Sequence, residues 1–191
     1  MKKISLLVVL FISIASFSQT KLYVHKNADE YVLNTKTIAI LPLKVQVKLR
    51  PKELKDFTTE QIIQMNKDEA IDIQKGMHTW FLTRKKRGTL LVNVQNPTRT
   101  NALLKKNGID IHNYDEYLPS ELGVILGVEA IITGNFETSK PMSNGAAIGL
   151  AVLTGGLFAT SSATMNMDFM STTDDELVVN YLKKIKYGSI F

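Results

Sequence analysis

Apolar positions along the chain change period several times, and each change marks an element. Thr37-Ile38-Ala39-Ile40-Leu41-Pro42-Leu43 is an apolar run of strand length. It reads as a buried strand that ends at Pro42, because proline cannot donate to a sheet ladder. Val45, Val47 and Leu49 alternate with Gln46 and Lys48, the period-two pattern of a half-buried strand. From about residue 58 the period becomes three and four. Thr58 or Thr59 is placed to cap one helical segment, and Asn66, followed by Glu69, a second. Ala70, Ile73, Met77, Trp80 and Phe81 then make one apolar stripe. Arg84-Lys85-Lys86-Arg87 before Gly88 suits a helix C-terminus, where cations meet the dipole. Residues 90–94 read as a strand. Asn96-Pro97 is a cap followed by a proline at the first helical position, and that helix stops at Asn107-Gly108. Residues 109–118 form a loop or short turn, and Pro119 opens a short helix ending at Gly127.

Val128 to Phe136 follows Gly127 with no room for a loop, and it is too apolar and β-branched to lie on a surface. It is expected to be the central strand of a sheet. Further on, Ala163, Met165, Met167 and Phe169 alternate with Thr164, Asn166 and Asp168. Thr172-Thr173-Asp174-Asp175 makes a turn, and Leu177, Val179 and Tyr181 begin a returning strand. Lys21 to Val24 is an edge-strand candidate. This order of elements defines an α/β fold: a two- or three-layer sandwich with a mixed sheet, βα units first and a C-terminal antiparallel hairpin last. Residues 36–191 are expected to form a single domain, with 19–35 an N-terminal extension.

Composition changes this picture mainly at the N-terminus. Lys2 and Lys3 precede an apolar run from Ile4 to Ile14 broken only by Ser5 and Ser13, and small residues stand at Ser16 and Ser18. This is the layout of a signal peptide, residues 1–18, cleaved before Gln19; the run is short for a membrane span. Losing Lys2 and Lys3 lowers the formal charge from +5 to +3. That surplus is too small to argue for nucleic acid, and no basic stripe is interleaved with aromatics, so no nucleic-acid partner is expected. The chain has no cysteine. There is thus no thiol nucleophile and no residue to carry an attached lipid.

One segment stands apart. Residues 145–160 carry no charge, within an uncharged Gly/Ala-rich insert at about 142–162. On a helix, Ala147, Ala151, Gly155 and Ala159 fall four apart, with Gly145 and Gly149 as a second small pair and Ile148, Val152 and Leu157 opposite. Small residues at that spacing let backbones approach closely. Three readings stay open: a buried connector, an exposed insert contacting a membrane or partner, and a full span. The candidate contact residues are Gly145, Gly149, Ala151, Val152, Gly155, Leu157 and Phe158.

Chemistry-bearing patterns are sparse. His25, His78 and His112 are scattered, with no second ligand at helical metal spacing. Ser120 and the Ser161-Ser162 pair lack a nucleophile-elbow context. Asp68, Glu69 and Asp72 suit the start of a helix. Gly155-Gly156 has no lysine of a phosphate loop. No enzyme activity, cofactor or metal is expected.

Lys36-Thr37-Ile38-Ala39-Ile40-Leu41-Pro42-Leu43 resembles the opening strand of CsgG-like and TolB N-terminal-like periplasmic domains, the families of the curli secretion-channel lipoprotein and the activators of penicillin-binding proteins. Leu126-Gly127-Val128-Glu129-Ala130-Ile131-Ile132-Thr133-Gly134 is similar to their helix-to-strand signature, with Glu129 where aspartate is more usual. The hairpin after Ala163 resembles the strand pair that follows. The resemblance spans about residues 36–186. It implies an exported envelope protein, periplasmic or at the outer-membrane periphery, working by contact with an envelope protein partner. It also allows a homo-oligomer, a peripheral membrane contact, or a membrane-associated secretion or assembly subunit. The lipid-attachment cysteine of those families is missing, and no pair of long amphipathic hairpins suited to a barrel is present.

Overall fold

Seven strands form one mixed sheet in the computed structural model, which describes residues 19–139 and 162–185. In chain order these are β1 (Gln19–Val24), β2 (Thr37–Ile40), β3 (Lys44–Val47), β4 (Asn93–Val94), β5 (Ala130–Thr138), β6 (Ala163–Ser171) and β7 (Leu177–Ile185). The spatial order is β1-β7-β6-β5-β2-β4, and β3 continues the line of β2 along β5. β2, β3, β4 and β5 run parallel; β6, β7 and β1 are antiparallel to their neighbours.

The expected central strand is central, but it begins two residues later than its sequence pattern. The preceding helix closes on Gly127, which takes the left-handed conformation (φ 69°) that a Cβ disfavours. The N–H groups of Gly127 and Val128 both donate to the Gly123 carbonyl, so Val128 completes the cap. Glu129 then ties β5 to β2: its carboxylate accepts the Thr37 N–H at 2.7 Å, and its own N–H donates to the Thr37 carbonyl. Ladder pairing starts at Ala130.

The long helical region is one helix, not two. α3 (Thr59–Lys86) follows the small helices α1 (Ala28–Asn34) and α2 (Pro51–Leu54). Thr58 caps α3, with Thr58 and Gln61 exchanging side-chain-to-backbone hydrogen bonds. Asn66 caps nothing. It sits mid-helix and accepts the Val47 N–H of β3 at 3.0 Å, a tertiary use that local pattern does not reveal. Ala70, Ile73 and Met77 are buried as the stripe requires, joined by Gln74. Gln74 is fully enclosed yet satisfied: its Nε2 donates to the Ile40 carbonyl, and its amide exchanges bonds with Asn101. The Arg84 guanidinium lies over the Trp80 ring, which gives part of the basic cluster a structural role.

On the other face, α4 (Pro97–Lys106), α5 (Pro119–Leu126) and a 3-10 turn at Tyr114–Glu116 cover β2 and the start of β5. Asn96 caps α4 through the Thr98 N–H. The strand expected over 90–94 shortens to β4, two residues, because only Asn93 and Val94 find a partner on β2; Leu91 faces solvent.

The core therefore has two compartments. Ile38, Ile40, Ile132, Phe136 and Met165 meet α3 on the front of the sheet. Ala39, Leu41, Ile131, Leu104, Leu122 and Leu126 pack on the back. Over the parallel strands the fold is a three-layer sandwich. Past β5 the layers thin, because α3 packs on β2, β3 and β4. The stretch read as an N-terminal extension contributes β1, paired along its length with β7.

Candidate functional site

The seven residues expected to make contacts, Gly145, Gly149, Ala151, Val152, Gly155, Leu157 and Phe158, lie outside the described residues. The base from which they depart is well defined. β5 and β6 pair without interruption up to Thr138 opposite Ala163. Beyond that pair the Ser139 N–H donates to the Ser162 carbonyl, and the Ser162 N–H to Ser139 Oγ, each at 3.1 Å. At this same end β7 finishes, with Ile185 beside Ala163, and β1 begins, with Gln19 beside Lys184. Strand register thus brings residue 19, both flanks of the 140–161 segment and the end of β7 to one rim of the sheet. β3 reaches the rim too, with Val47 beside Thr138 and Lys48 paired to Glu137 at 2.6 Å.

Below the rim the antiparallel strands have two unlike faces. Cross-strand partners in such a ladder share a face. Phe169, Val179 and Val24 line up on the front, as do Met167, Tyr181 and Leu22. This surface is apolar and part open, with Leu22 62% and Val24 52% exposed. The back carries Asn166, Asp168 and Asn180, and Asn180 Nδ2 donates to Asn166 at 2.8 Å and to Asp168 at 2.6 Å. Tyr114 sits beside this polar group. Burial, then the nearby negative charge of Asp115, pushes its hydroxyl up to about 12; Asp168 adds to the rise and the Gly134 backbone opposes it. A tyrosine held neutral in this way can donate a hydrogen bond and is no general base near neutrality.

A groove of about 200 Å³ runs beside the outer edge of β3. Ile63, Asn66 and Lys67 of α3 form one wall, and Ile111 and His112 the other, with Lys44 and Val45 as floor. Lys44 reaches out of this floor to Asp115 at 2.6 Å and lies over the Tyr114 ring. Sequence pattern finds β3 but cannot say which of its edges stays open, so these residues were not among the expected contacts.

Several of the remaining chemical candidates are occupied structurally. Ser120 receives Asp175: the Ser120 N–H and Oγ donate to its two carboxylate oxygens at 2.6 and 3.1 Å, clamping the β6–β7 turn to the start of α5. Asp174 accepts the Tyr31 hydroxyl at 2.6 Å, which holds its carboxyl below the usual range. His25 accepts the Asn27 N–H and packs edge-on against Tyr31. His78 is half-buried, and desolvation lowers its pKa. His112 is exposed at the groove. Among the described residues no three His, Cys, Asp or Glu side chains converge to hold a metal. No helix among them is long and apolar enough to cross a membrane.

No family model matches the chain, and no curated protein matches it. Some solved structures are similar in layout. Lipoprotein GNA1162 from Neisseria meningitidis has a TM-score of 0.46 at 10% identity, over 80% of this chain and 81% of that one. The LpoB C-terminal domain from Salmonella enterica has a TM-score of 0.34 at 6% identity, covering 80% and 83%. The PelC dodecamer from Paraburkholderia phytofirmans gives 0.36 at 6%, covering 92% and 86%. At such scores no function passes from these proteins to this chain.

Proposed function

We propose that this is an exported, non-enzymatic envelope protein of CsgG-like or TolB N-terminal-like type that works by protein–protein contact. It resides in the periplasm or at the outer-membrane periphery, carries no attached lipid, and uses residues 145–160 as its contact segment. The observation that supports this most is the shared rim. Residue 19, the expected cleavage point, and the flanks of the uncharged segment stand at the same end of the sheet with β7 between them, so a partner that covers this end meets the segment and the new N-terminus together. Free energy for such a contact would come from burying Val152, Leu157 and Phe158.

A second reading, a membrane-associated oligomeric subunit for secretion or assembly, takes the four-residue spacing of Ala147, Ala151, Gly155 and Ala159, with the Gly145 and Gly149 pair beside it, as a helix-pairing face. Expression of the full chain in a Gram-negative host separates the readings. Export predicts a mature N-terminus at Gln19 by mass spectrometry; an intact leader in the cytosol would refute it. Release of all the protein by osmotic shock favours the first reading. Recovery with membranes, lost on replacing 145–158 by a short polar turn, favours the second.

A further inference from the structure

We propose that the outer edge of β3 is a binding site for an extended, acidic peptide, which adds to the sheet as an eighth strand. The idea rests on the contact role argued above and names its mode. Alternate residues of a strand turn their N–H and C=O to the same side. The Lys48 N–H donates inward to the Thr138 carbonyl, so Lys44, Gln46 and Lys48 face β5. Val45 and Val47 therefore turn their main-chain groups outward, into the groove. The Val47 N–H is met there by Asn66 Oδ1 at 3.0 Å, in the position a neighbouring strand's carbonyl would take. The Val45 N–H and C=O and the Val47 C=O have no hydrogen-bond partner among the described residues.

An open edge of this kind is usually blocked by a covering element, or is used. Here β4 stops at Val94 and the chain turns into α4 at Pro97, so the line beside β3 is left vacant between two walls. Ile63 and Lys67 stand one turn apart on the α3 wall, and Ile63 is 54% exposed. Ile111 and His112 stand on the other. A strand laid between them would turn alternate side chains to each wall, one set toward Ile63 and Lys67 and the other toward Ile111 and His112. The ionisable side chains lining the groove are two lysines and a histidine, with no carboxylate. Lys44 is engaged by Asp115, and Asp110 accepts the His112 N–H from outside the lining. Lys67 makes no ion pair among the described residues. The occupant that fits is a peptide of a partner protein alternating apolar and acidic side chains.

The test uses the mature chain labelled with nitrogen-15 and an acetylated seven-residue peptide of alternating valine and glutamate. Titration should shift the Val45 amide first and slow its hydrogen exchange. A peptide of valine and lysine should bind at least about tenfold more weakly, and of two peptides with proline at adjacent central positions, the one that loses the N–H facing β3 should not bind. Lys67→Glu, on an exposed helix position, should leave the spectrum folded and bring the two peptides' affinities together. No Val45 shift at millimolar peptide, or binding by both proline peptides equal to that of the parent peptide, would overturn the proposal. So would a Val45 shift that depends on protein concentration without peptide, which would assign the edge to a second copy. Failure of export would leave these binding results standing, so the two readings fail separately.

Discussion

The two halves of the sheet bury their side chains differently. In β2 and the first half of β5 both faces are covered. Ile38 and Ile40 point to α3 while Ala39 and Leu41 point to α4 and α5, and all four are at most 1% exposed. Parallel strands joined through helices demand this, which is why their sequences run apolar without alternation. In β6, β7 and β1 one face is apolar and the other polar, and the sequence alternates. Met167 and Phe169 point forward, while Asn166 and Asp168 point back into hydrogen bonds with Asn180. The parallel half is closed on both faces along β2 and the start of β5, and opens along the outer edge of β3. The antiparallel half is buried at Ala163, Met165 and Val178 and opens toward β1, at Leu22 and Val24, where a contact costs little internal stability.

Three measurements would break or sharpen that contrast. The largest effect is expected where the halves join. Gly134 has φ 152°, and a Cβ there would come within 2.0 Å of the Asn166 carbonyl oxygen. Gly134→Val should destabilise by about 3 kcal/mol or more, or prevent folding altogether; a urea midpoint unchanged from the parent would show that β5 and β6 tolerate separation. Next, Phe136→Ala removes a fully buried ring and should cost about 3–5 kcal/mol. Leu22→Ser, on the open front, should stay within about 0.5 kcal/mol. If the two losses match, the front of the antiparallel half is as closed as the parallel core. The smallest effect is read from pH. Tyr114 is held near 12 against an ordinary 10. Between those values the unfolded chain has lost the phenolic proton and the folded chain keeps it, so stability falls as pH rises. Parent minus Tyr114→Phe stability should decline by on the order of 2 kcal/mol across that window; a constant difference would place Tyr114 in contact with water.

Most of the layout could be read from residues whose role is local. Asn96-Pro97 starts α4, Gly127 stops α5, and the alternation from Ala163 gives the hairpin. What escaped reading was set by partners distant in sequence. Asn66 looks like a cap until β3 supplies the Val47 N–H nineteen positions away. Residues 90–94 look like a full strand until β2 offers only two partners. Val128 looks like strand until the Gly123 carbonyl claims its N–H. The groove escaped for the same reason: the alternation of Val45 and Val47 gives a strand's faces, while its edges are settled by which strands arrive beside it. The expected contacts in 145–158 rest on composition and spacing alone, and the rim at Ser139 and Ser162 is where the structure meets them.

The pairing of β1 with β7 has a consequence for timing. The first described strand finds its partner only in the last one, Leu22 opposite Tyr181. Tyr31, just behind β1, is likewise latched to Asp174 in the turn before β7. Contacts this far apart in the chain are slow to form, because the loop they close is nearly the whole domain. A ribosome or a translocation channel that still holds residues 177–185 therefore leaves β1 without a neighbour. The segment that forms β1 stays unpaired until residues 177–185 are free to fold beside it.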